Sequence, residues 1–413
     1  MKKILLFSSH DLNARDYGSV LRVRNIAQLL SSYGEVDVVL GSRFDEVLQN
    51  ASPLQGGFKL IKNIKFWRWY SLPARVFASL KSNFLEMENY RTTYEESEKL
   101  QRAMARYDLV WVHGLETANA FGVWRWQKSV LDIDDIPSEV YRLRLSQAKS
   151  VAQKLFNWQQ MILWRRNERR LGKRFDAICV CSEQDRERLG RERVFVLPNG
   201  FEMPATLHSR KPASPPQIGF VGTFVYWANC QGVQWFIEKV WPLILERSPG
   251  ARLRLAGERG EKMFNGPNIE ALGWVPNMED EMAHWSIAIV PVLAGGGTRI
   301  KILEAFSRKC PVVSTSVGCY GYDLQNEREL LVADTPEHFA ASCLRILNNP
   351  DQGLELAENA WARFSTTWTW TSQSGRIADI IAAVCRTETQ PDEPHSVLNQ
   401  SFITGAISPS TQR

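Results

Sequence analysis

Short apolar runs alternate with segments of helical spacing along most of the 413-residue chain. Residues 3–8 predict a buried strand, the apolar positions between Val20 and Leu30 share one helical face, and residues 36–42 predict the next strand. A strand, a helix and a strand in this order form a βαβ unit, which requires a parallel sheet with helices on its faces. Further strands are predicted at 108–114, 129–135, 177–182 and 194–200, and a long basic helical stretch at about 138–174.

The alternation stops between residues 201 and 217, where prolines and serines leave no periodicity, and then restarts. We therefore predict an α/β chain of two domains, 1–200 and 218–365, joined by a linker at 201–217. A helix at 366–386 is expected to pack back toward the amino-terminal domain. Residues 387–413 are rich in Ser, Thr, Gln and Pro and are predicted to be disordered.

The composition indicates a soluble globular protein, with 44% hydrophobic and 23% charged residues. The seven cysteines include no C-x-x-C pair, which argues for reduced cytosolic thiols rather than for disulfides or a zinc site. The first residues are interpreted as a strand rather than a signal peptide, and no apolar run reaches the ~18 residues of a membrane span. We expect a cytoplasmic protein.

The run GGGTRIKILEAF at 295–306 is the densest chemical signal. Its glycines allow a ligand to approach the backbone, and the helix that follows presents its positive end to an anion. Arg299 and Lys301 are unfavourable partners for that end of a helix, so their position suggests an anionic ligand. Glu304, one turn later, has the chemistry to bind paired hydroxyls such as those of a ribose. An ordinary helix with a glycine-rich entry is the alternative.

Polar residues also follow two predicted strands of the amino-terminal half. In a parallel sheet, ligands gather at the carboxyl ends of strands, where His113, Asp134 and Asp135 are expected. Asp134 or His113 is the candidate base. The alternatives are a His113 bonded to backbone and a set of aspartates that cap the helix after Pro137.

Two stretches, 57–84 and 142–174, mix basic residues with aromatic ones. Such segments commonly lie on anionic membrane surfaces, so we expect peripheral contact with the inner face of a membrane. A helix that packs its apolar face on the core would have the same pattern. Nucleic-acid binding is disfavoured, because the net charge is only +5 and no recognition motif is present.

Three segments together carry a family resemblance: residues 219–236, residues 272–323 and the Pro-Asn-Gly at 198–200. They resemble the retaining GT-B glycosyltransferases of group 1, the family-4 type, strongly over about 195–385 and weakly before. The resemblance implies two Rossmann-like domains with parallel sheets that face each other across a cleft. It also implies a nucleoside-diphosphate sugar as donor in the carboxy-terminal domain, and a glycan or lipid-linked acceptor in the amino-terminal one.

The same resemblance assigns roles to individual residues. Arg299 and Lys301 would bind the pyrophosphate and stabilise charge on the leaving group, in place of a metal, since no Asp-x-Asp site is evident where a metal would be needed. Glu304 would bind the ribose. The other donor-binding positions are Gly18, Ser19, Gly222, Thr223, Trp274, Val275, Gly296, Gly297 and Thr298. No metal and no cofactor beyond the donor is expected.

Two positions depart from the family pattern. The family places a glutamate that contacts the donor sugar eight residues before Glu304, where this chain has Gly296. Many relatives have a histidine at the strand end occupied here by Asp134. The departure at 296 leaves the identity of the donor sugar open.

We therefore predict a metal-independent retaining glycosyltransferase of hexosyltransferase type in cell-surface polysaccharide or glycolipid biosynthesis. A GT-B sugar-nucleotide epimerase is one alternative. A degenerate, non-catalytic partner subunit is the other, motivated by Gly296 and the missing histidine.

Overall fold

The computed structural model describes residues 2–13, 18–42, 58–68, 90–206 and 209–385. The predicted tail and much of the basic stretch at 57–84 lie outside these residues. The chain forms two α/β domains, each built on a parallel sheet, as predicted.

The amino-terminal sheet has seven parallel strands in the order β3-β2-β1-β6-β7-β8-β9. Two further short strands, β4 and β5, pair in antiparallel fashion beside it. The strands are β1 (Lys2–Ser8), β2 (Gly34–Ser42), β3 (Lys59–Lys65), β4 (Trp67–Arg68), β5 (Tyr90–Arg91), β6 (Leu109–His113), β7 (Ser129–Ile133), β8 (Ala177–Val180) and β9 (Val194–Val196).

Both faces of this sheet are covered, which is why its strands are nearly continuous apolar runs. The helices are α1 (Gly18–Ser31), α2 (Tyr94–Met104), α3 (Leu115–Ala120), α4 (Pro137–Gln147), α5 (Val151–Glu168), α6 (Leu171–Arg174) and α7 (Glu183–Leu189). One buried cluster holds the side chains of α2, α3 and α5, and a second holds those of α1 together with the last helix of the chain.

The basic stretch predicted to be helical over about 138–174 is helical, and it is divided into three helices, α4 to α6. Ala148 ends α4 in an extended conformation. Ser150 then begins α5 with a capping box: its side chain accepts from the Gln153 amide while the Gln153 side chain accepts from the Ser150 amide.

The carboxy-terminal sheet has six parallel strands in the order β12-β11-β10-β13-β14-β15. These are β10 (Gln217–Val221), β11 (Arg252–Ala256), β12 (Ile269–Gly273), β13 (Ile287–Val290), β14 (Val312–Ser314) and β15 (Leu331–Val332). Its helices are α8 (Trp227–Trp235), continued by a π-helical turn (Phe236–Val240) and α9 (Trp241–Arg247), then α10 (Met278–Ala283), α11 (Ile300–Ser307), α12 (Pro336–Asn348) and α13 (Pro350–Thr367).

The chain crosses between the domains twice. At the crossing, the Phe201 amide donates to the Trp368 carbonyl at 2.9 Å, and Phe201 forms a parallel bridge with Thr369. The last helix, α14 (Ser374–Cys385), then packs on the amino-terminal sheet. Both domains therefore contain carboxy-terminal sequence, and the cleft between them opens at the carboxyl ends of both sheets.

Candidate functional site

The glycine-rich run forms the turn between β13 and α11. Gly295 and Gly297 have φ angles of 127° and 64°, a region in which side chains other than glycine are strained. Arg299 is the residue before the first helical position, and its guanidinium folds back over the turn. Its Nη1 donates to the carbonyls of Gly296 and Gly297, whereas its Nε and Nη2 are buried without a hydrogen-bond partner.

Lys301, in the first turn of α11, points into the same region. Its Nζ donates to Asn229 Oδ1 at 2.8 Å and lies 3.9 Å from the centre of the Phe220 ring. A Cβ at Gly222 would lie 2.7 Å from this Nζ, so the turn after β10 passes directly beside the ammonium group. Burial, reinforced by Arg299, lowers the pKa of Lys301 well below its usual range.

Neither cation is paired with a carboxylate in an ion pair among the described residues. The nearby acid, Glu304, instead accepts from Arg308 one turn later on α11, at 2.8 Å. Two buried cations without a counter-ion are electrostatically costly unless an anion joins them. The arrangement therefore has the charge and the position, at the start of a helix, that suit an anion.

Other predicted donor-binding residues surround this region to different degrees. Gly18 begins α1, and a Cβ there would lie 3.7 Å from Ile300 Cδ1, so α1 starts against the start of α11. Ser19 follows in the same turn. The carbonyl of Thr223 accepts from Asn229, the partner of Lys301, at 2.7 Å. Trp274, 49% exposed after β12, and Val275, packed in the cluster that includes α11, are farther along the sheet edge.

A buried charge network occupies the carboxyl ends of β6 and β7. Arg22 of α1 donates to Asp132 at 2.5 Å from Nη2 and lies 2.8 Å from Asp134, from Nε. His113 Nδ1 lies 2.9 Å from Asp132, and its Nε2 lies 3.6 Å from Asp134. Burial opposes ionisation here, but Arg22 and His113 together lower the pKa of Asp132 to about 2. Burial likewise disfavours a charged His113, yet Asp134 and Asp132 raise its pKa.

The two candidate bases differ in access. His113 is buried, whereas the Asp134 side chain is 23% exposed. The ligand atoms of His113, Asp132 and Asp134 lie within 4.8 Å of one another, which is close enough to hold a metal ion. The Arg22 guanidinium, however, already supplies the positive charge between both carboxylates.

The aspartates do not cap α4. The amide and hydroxyl of Ser138 donate to Glu168 at 2.8 and 2.6 Å, so Glu168 satisfies the start of that helix. Asp135 instead projects between the domains. A Cβ built on Gly297 would lie 2.1 Å from its Oδ1. Burial raises the pKa of Asp135 to about 6, although Arg299 opposes the shift.

Sequence reasoning did not assign several residues that the structure places at the site. Arg22 was not predicted as a site residue, because it is not one of the regularly spaced apolar positions of α1. Asn199 belongs to the Pro-Asn-Gly that carried the resemblance, and it links the two parts of the site. Its side chain bonds Arg22 at 3.0 Å and donates to Thr298 Oγ1 at 2.9 Å across the cleft.

A second interdomain contact involves Tyr320. Its hydroxyl donates to Asp185 at 2.9 Å and accepts from Arg188 at 2.7 Å. Together with Asn199 and Thr298, these bonds fix the orientation of the two domains around the glycine-rich turn.

A cavity of about 400 Å³ lies in the cleft, between α4 and α5 of one domain and α8 of the other. It is lined by Arg144, Gln147, Ala148, Lys149, Gln153, Asn157, Trp227 and Gln231. Amides, a tryptophan and two cations line this space without an acidic residue. Such a lining suits a hydroxyl-bearing or anionic ligand.

The first turns of α5 are exposed although they are apolar. Val151, Leu155, Phe156 and Trp158 are all exposed, and Trp158 is 53% so. Farther along, Met161, Leu163 and Trp164 are buried in the core. The helix thus has one face buried in the core and an apolar end that is exposed. No helix of the described ranges combines the length and the apolar character needed to cross a membrane.

Part of the chain matches a known family. Residues 215–349 match the family model of glycosyl transferases group 1. A protein of Klebsiella pneumoniae, described as an uncharacterised 44.6 kDa protein in the cps region, is 22% identical over 390 residues that cover 88% of this chain and 95% of the relative.

Solved structures resemble the whole chain. Sucrose-phosphate synthase of Thermosynechococcus elongatus superposes with a TM-score of 0.66 at 15% identity, covering 94% of this chain and all of that one. HepE of Anabaena, solved with UDP-glucose, gives 0.62 at 14% identity over 93% of this chain and all of its own. WaaG, a glycosyltransferase involved in lipopolysaccharide biosynthesis, gives 0.61 at 15% identity over 92% and 99%. The chain has the GT-B fold, and its carboxy-terminal domain matches the family model of glycosyl transferases group 1 over residues 215–349.

Proposed function

We propose that this protein transfers a sugar from a nucleoside-diphosphate donor to a glycan or lipid-linked acceptor, with retention and without a metal. The observation that carries the proposal is the pair of buried, uncompensated cations at the start of α11, Arg299 and Lys301. A diphosphate supplies the charge that this position lacks. The group 1 domain over residues 215–349 gives the reaction class.

In the transfer, the bond between the anomeric carbon and the diphosphate oxygen breaks, and an acceptor hydroxyl forms the new bond. Negative charge then collects on the leaving diphosphate. Arg299 and Lys301 stabilise that charge from a buried position, where fixed donors are most effective. The acceptor hydroxyl releases a proton, and Asp134 is the more exposed of the two candidate bases beside the cleft.

The remaining donor contacts follow from their position around α11. Glu304 binds the ribose from the second turn, after exchanging its ion pair with Arg308. The backbone at Trp274 and Val275 binds the base. The turn at Gly222 and Thr223 and the start of α1 at Gly18 and Ser19 approach the phosphates from opposite sides.

The acceptor is proposed to occupy the 400 Å³ cavity in the cleft. Arg144 and Lys149 suit a phosphate or carboxylate on the acceptor, and the amides and Trp227 suit sugar rings. The cps-region relative and the resemblance to WaaG favour cell-surface polysaccharide or glycolipid biosynthesis as the setting. We propose a hexosyl group as the sugar.

Lys149 lies on the cavity wall, one turn from the exposed apolar end of α5. This combination of a lysine and exposed Val151, Leu155 and Trp158 is complementary to an anionic lipid surface. We propose that a lipid-linked acceptor is reached there. Flotation with phosphatidylglycerol vesicles should recover the wild type, whereas a Leu155→Ser/Trp158→Ser variant should remain unbound. Equal behaviour of both proteins, or no flotation at all, would reject membrane contact.

Hydrolysis and binding of donors, screened across UDP-, GDP- and dTDP-sugars, test the central proposal. Lys301→Met should abolish turnover and leave the fold intact, because burial already disfavours the charged lysine and methionine fills the same space. Lys309→Ala is the matched control, since this lysine follows the same helix and pairs with Glu358 on the surface. Circular dichroism checks the folding of both variants. Unchanged turnover in Lys301→Met would refute the diphosphate assignment.

The same screen separates the alternatives. Interconversion of donor sugars without transfer would favour a sugar-nucleotide epimerase. A failure to bind or hydrolyse any donor would favour a non-catalytic partner subunit. Activity should survive dialysis against EDTA, because the cations that stabilise the leaving group are side chains; loss of activity restored by Mg²⁺ would reject metal independence.

A further inference from the structure

Asp135 presses against the glycine-rich turn from the opposite domain. A Cβ at Gly297 would lie 2.1 Å from Asp135 Oδ1, and one at Gly296 would lie 3.0 Å from Asp135 Cγ and 2.8 Å from Val140 Cγ2. A side chain at either position would collide with the amino-terminal domain. A glutamate at 296 would therefore require Asp135 or Val140 to move.

The Asp135 carboxylate has no bonding partner in the part of the chain that the structure describes. Among the described residues it has no hydrogen bond and no ion pair within 4.0 Å. The start of α4, which an aspartate here would be expected to cap, is satisfied by Glu168. Asp135 thus holds a charge in a partly buried place without the structural role that its position in the sequence suggests.

The positive charges of two arginines act on Asp135. Arg299 lies near enough to oppose its pKa shift electrostatically, yet the Arg299 Nε and Nη2 stay without a partner. Arg144 contributes in the same direction from α4. Tyr226 lines the other side, since a Cβ at Gly295 would lie 2.9 Å from its hydroxyl. The Asp135 carboxylate, the Arg299 guanidinium and the Tyr226 hydroxyl therefore all lie against the glycine-rich turn.

We propose that Asp135 binds hydroxyl groups of the donor sugar, acting from the amino-terminal domain in the place of a glutamate at 296. This inference rests on the proposed function. A carboxylate accepts hydrogen bonds from two neighbouring hydroxyls, whereas diphosphate is bound on the far side of Arg299. Recognition of the sugar then depends on both domains, while recognition of the diphosphate depends on the carboxy-terminal one.

A hydroxyl-deletion cycle tests the assignment. Affinities for UDP, UDP-glucose and the deoxyfluoro-glucose donors substituted at C2, C3, C4 or C6 are measured by calorimetry on wild type and Asp135→Asn, with the GDP-mannose series as a second set. In wild type, removal of at least one hydroxyl should weaken binding roughly tenfold, the magnitude of a hydrogen bond to a charged group. In Asp135→Asn that penalty should vanish, while the affinity for UDP or GDP changes less than twofold.

Asp37→Asn is the matched control, because Asp37 is a partly buried carboxylate of the same domain that accepts from the Tyr107 hydroxyl. Asp37 lies within β2, not at the carboxyl end of a strand. It should retain the hydroxyl penalty. The inference is overturned if Asp135→Asn keeps the full penalty, if it loses diphosphate and donor affinity equally, or if wild type shows no penalty at any hydroxyl. If the wild type binds neither UDP nor GDP, the proposed function itself is overturned. This outcome is visible in the wild type alone, so it is distinct from a failure of the Asp135 assignment.

Discussion

Asp135 and Lys301 are charged side chains that have no ion-pair partner within the described ranges of the chain. Burial raises the pKa of Asp135 to about 6 and lowers the pKa of Lys301. Both groups therefore destabilise the folded state in their charged forms. Residues that destabilise a fold and stand in a cleft are candidates for binding or catalysis. Here the opposite signs match a donor that presents both hydroxyls and phosphates.

The difference in stability between Asp135→Asn and wild type should depend on pH in a defined way. The folded-state pKa near 6 lies above the unfolded value of 3.8, so the folded wild type binds the extra proton between these values. Its stability therefore falls as the pH rises from about 4 through 6, whereas an asparagine does not titrate. We expect the variant to equal wild type near pH 4 and to exceed it by about 1–3 kcal/mol at pH 8. Urea unfolding across this range measures the difference, and a constant offset would contradict the shift.

Gly296→Glu restores the residue type of the family without restoring its space. Contacts near 3 Å with Val140 and Asp135 should force the domains apart. A displacement of about 1 Å at a reacting centre costs roughly 100-fold in rate, so we expect a loss of this size with diphosphate affinity retained. Gly375→Glu, on an exposed face of α14 where a new Cβ meets nothing, is the control. An active Gly296→Glu would show that the turn can move away.

At the scale of elements, α1 is fixed to β7 by the Arg22 network. The guanidinium serves Asp132, Asp134, the Leu197 carbonyl and Asn199, so one side chain joins α1, β7 and the crossing segment. These partners offset the free energy that burial of the Arg22 charge would otherwise cost.

Arg22→Met should destabilise the protein strongly, because it leaves Asp132 buried without its cation. Removal of one member of a buried pair costs about 3–5 kcal/mol. The loss should shrink in acid, since the low pKa of Asp132, about 2, means that its charge contributes stability above the unfolded value and loses it as the pH falls toward 2. Gln28→Met, exposed on the same helix, should be near neutral in chemical denaturation. Similar midpoints for the two variants would contradict the network.

Most helices and strands could be predicted, because the spacing of their apolar residues is typical of only one type of secondary structure. In the amino-terminal sheet every strand except β3 lies where the apolar runs predict it, whereas β3 falls in a stretch that was interpreted only as basic and aromatic. The break between α4 and α5 was missed, although Ser150 and Gln153 have the spacing of a capping box. The apolar and basic residues on both sides concealed it.

At the scale of the whole molecule, α14 completes the amino-terminal core. Ile377, Ile380, Ile381 and Val384 are buried with residues of β1 and α1, and Lys2 Nζ donates to Cys385 Sγ at 2.8 Å. The stability of the first domain therefore depends on the end of the chain.

Ile377→Ala should cost about 2–5 kcal/mol, the range for removing a fully buried aliphatic side chain. Hydrogen exchange should report the loss in β1 and β6, with the strands of the carboxy-terminal sheet unaffected. Asp379→Ala, exposed on the same helix, should leave exchange unchanged. Equal loss of protection in both sheets would mean that the domains unfold as one unit.

The sequence by itself determined two parallel α/β domains and placed Arg299 and Lys301 at a glycine-rich helix start, because periodicity and such a helix start are local properties. Tertiary structure decided the rest of the site. Arg22, Asn199 and Asp135 reach their partners over separations of about 100 residues or more, and no local pattern encodes such contacts. The glycine at 296 is the clearest case: in sequence it is a missing glutamate, and in space it is the room that Asp135 occupies.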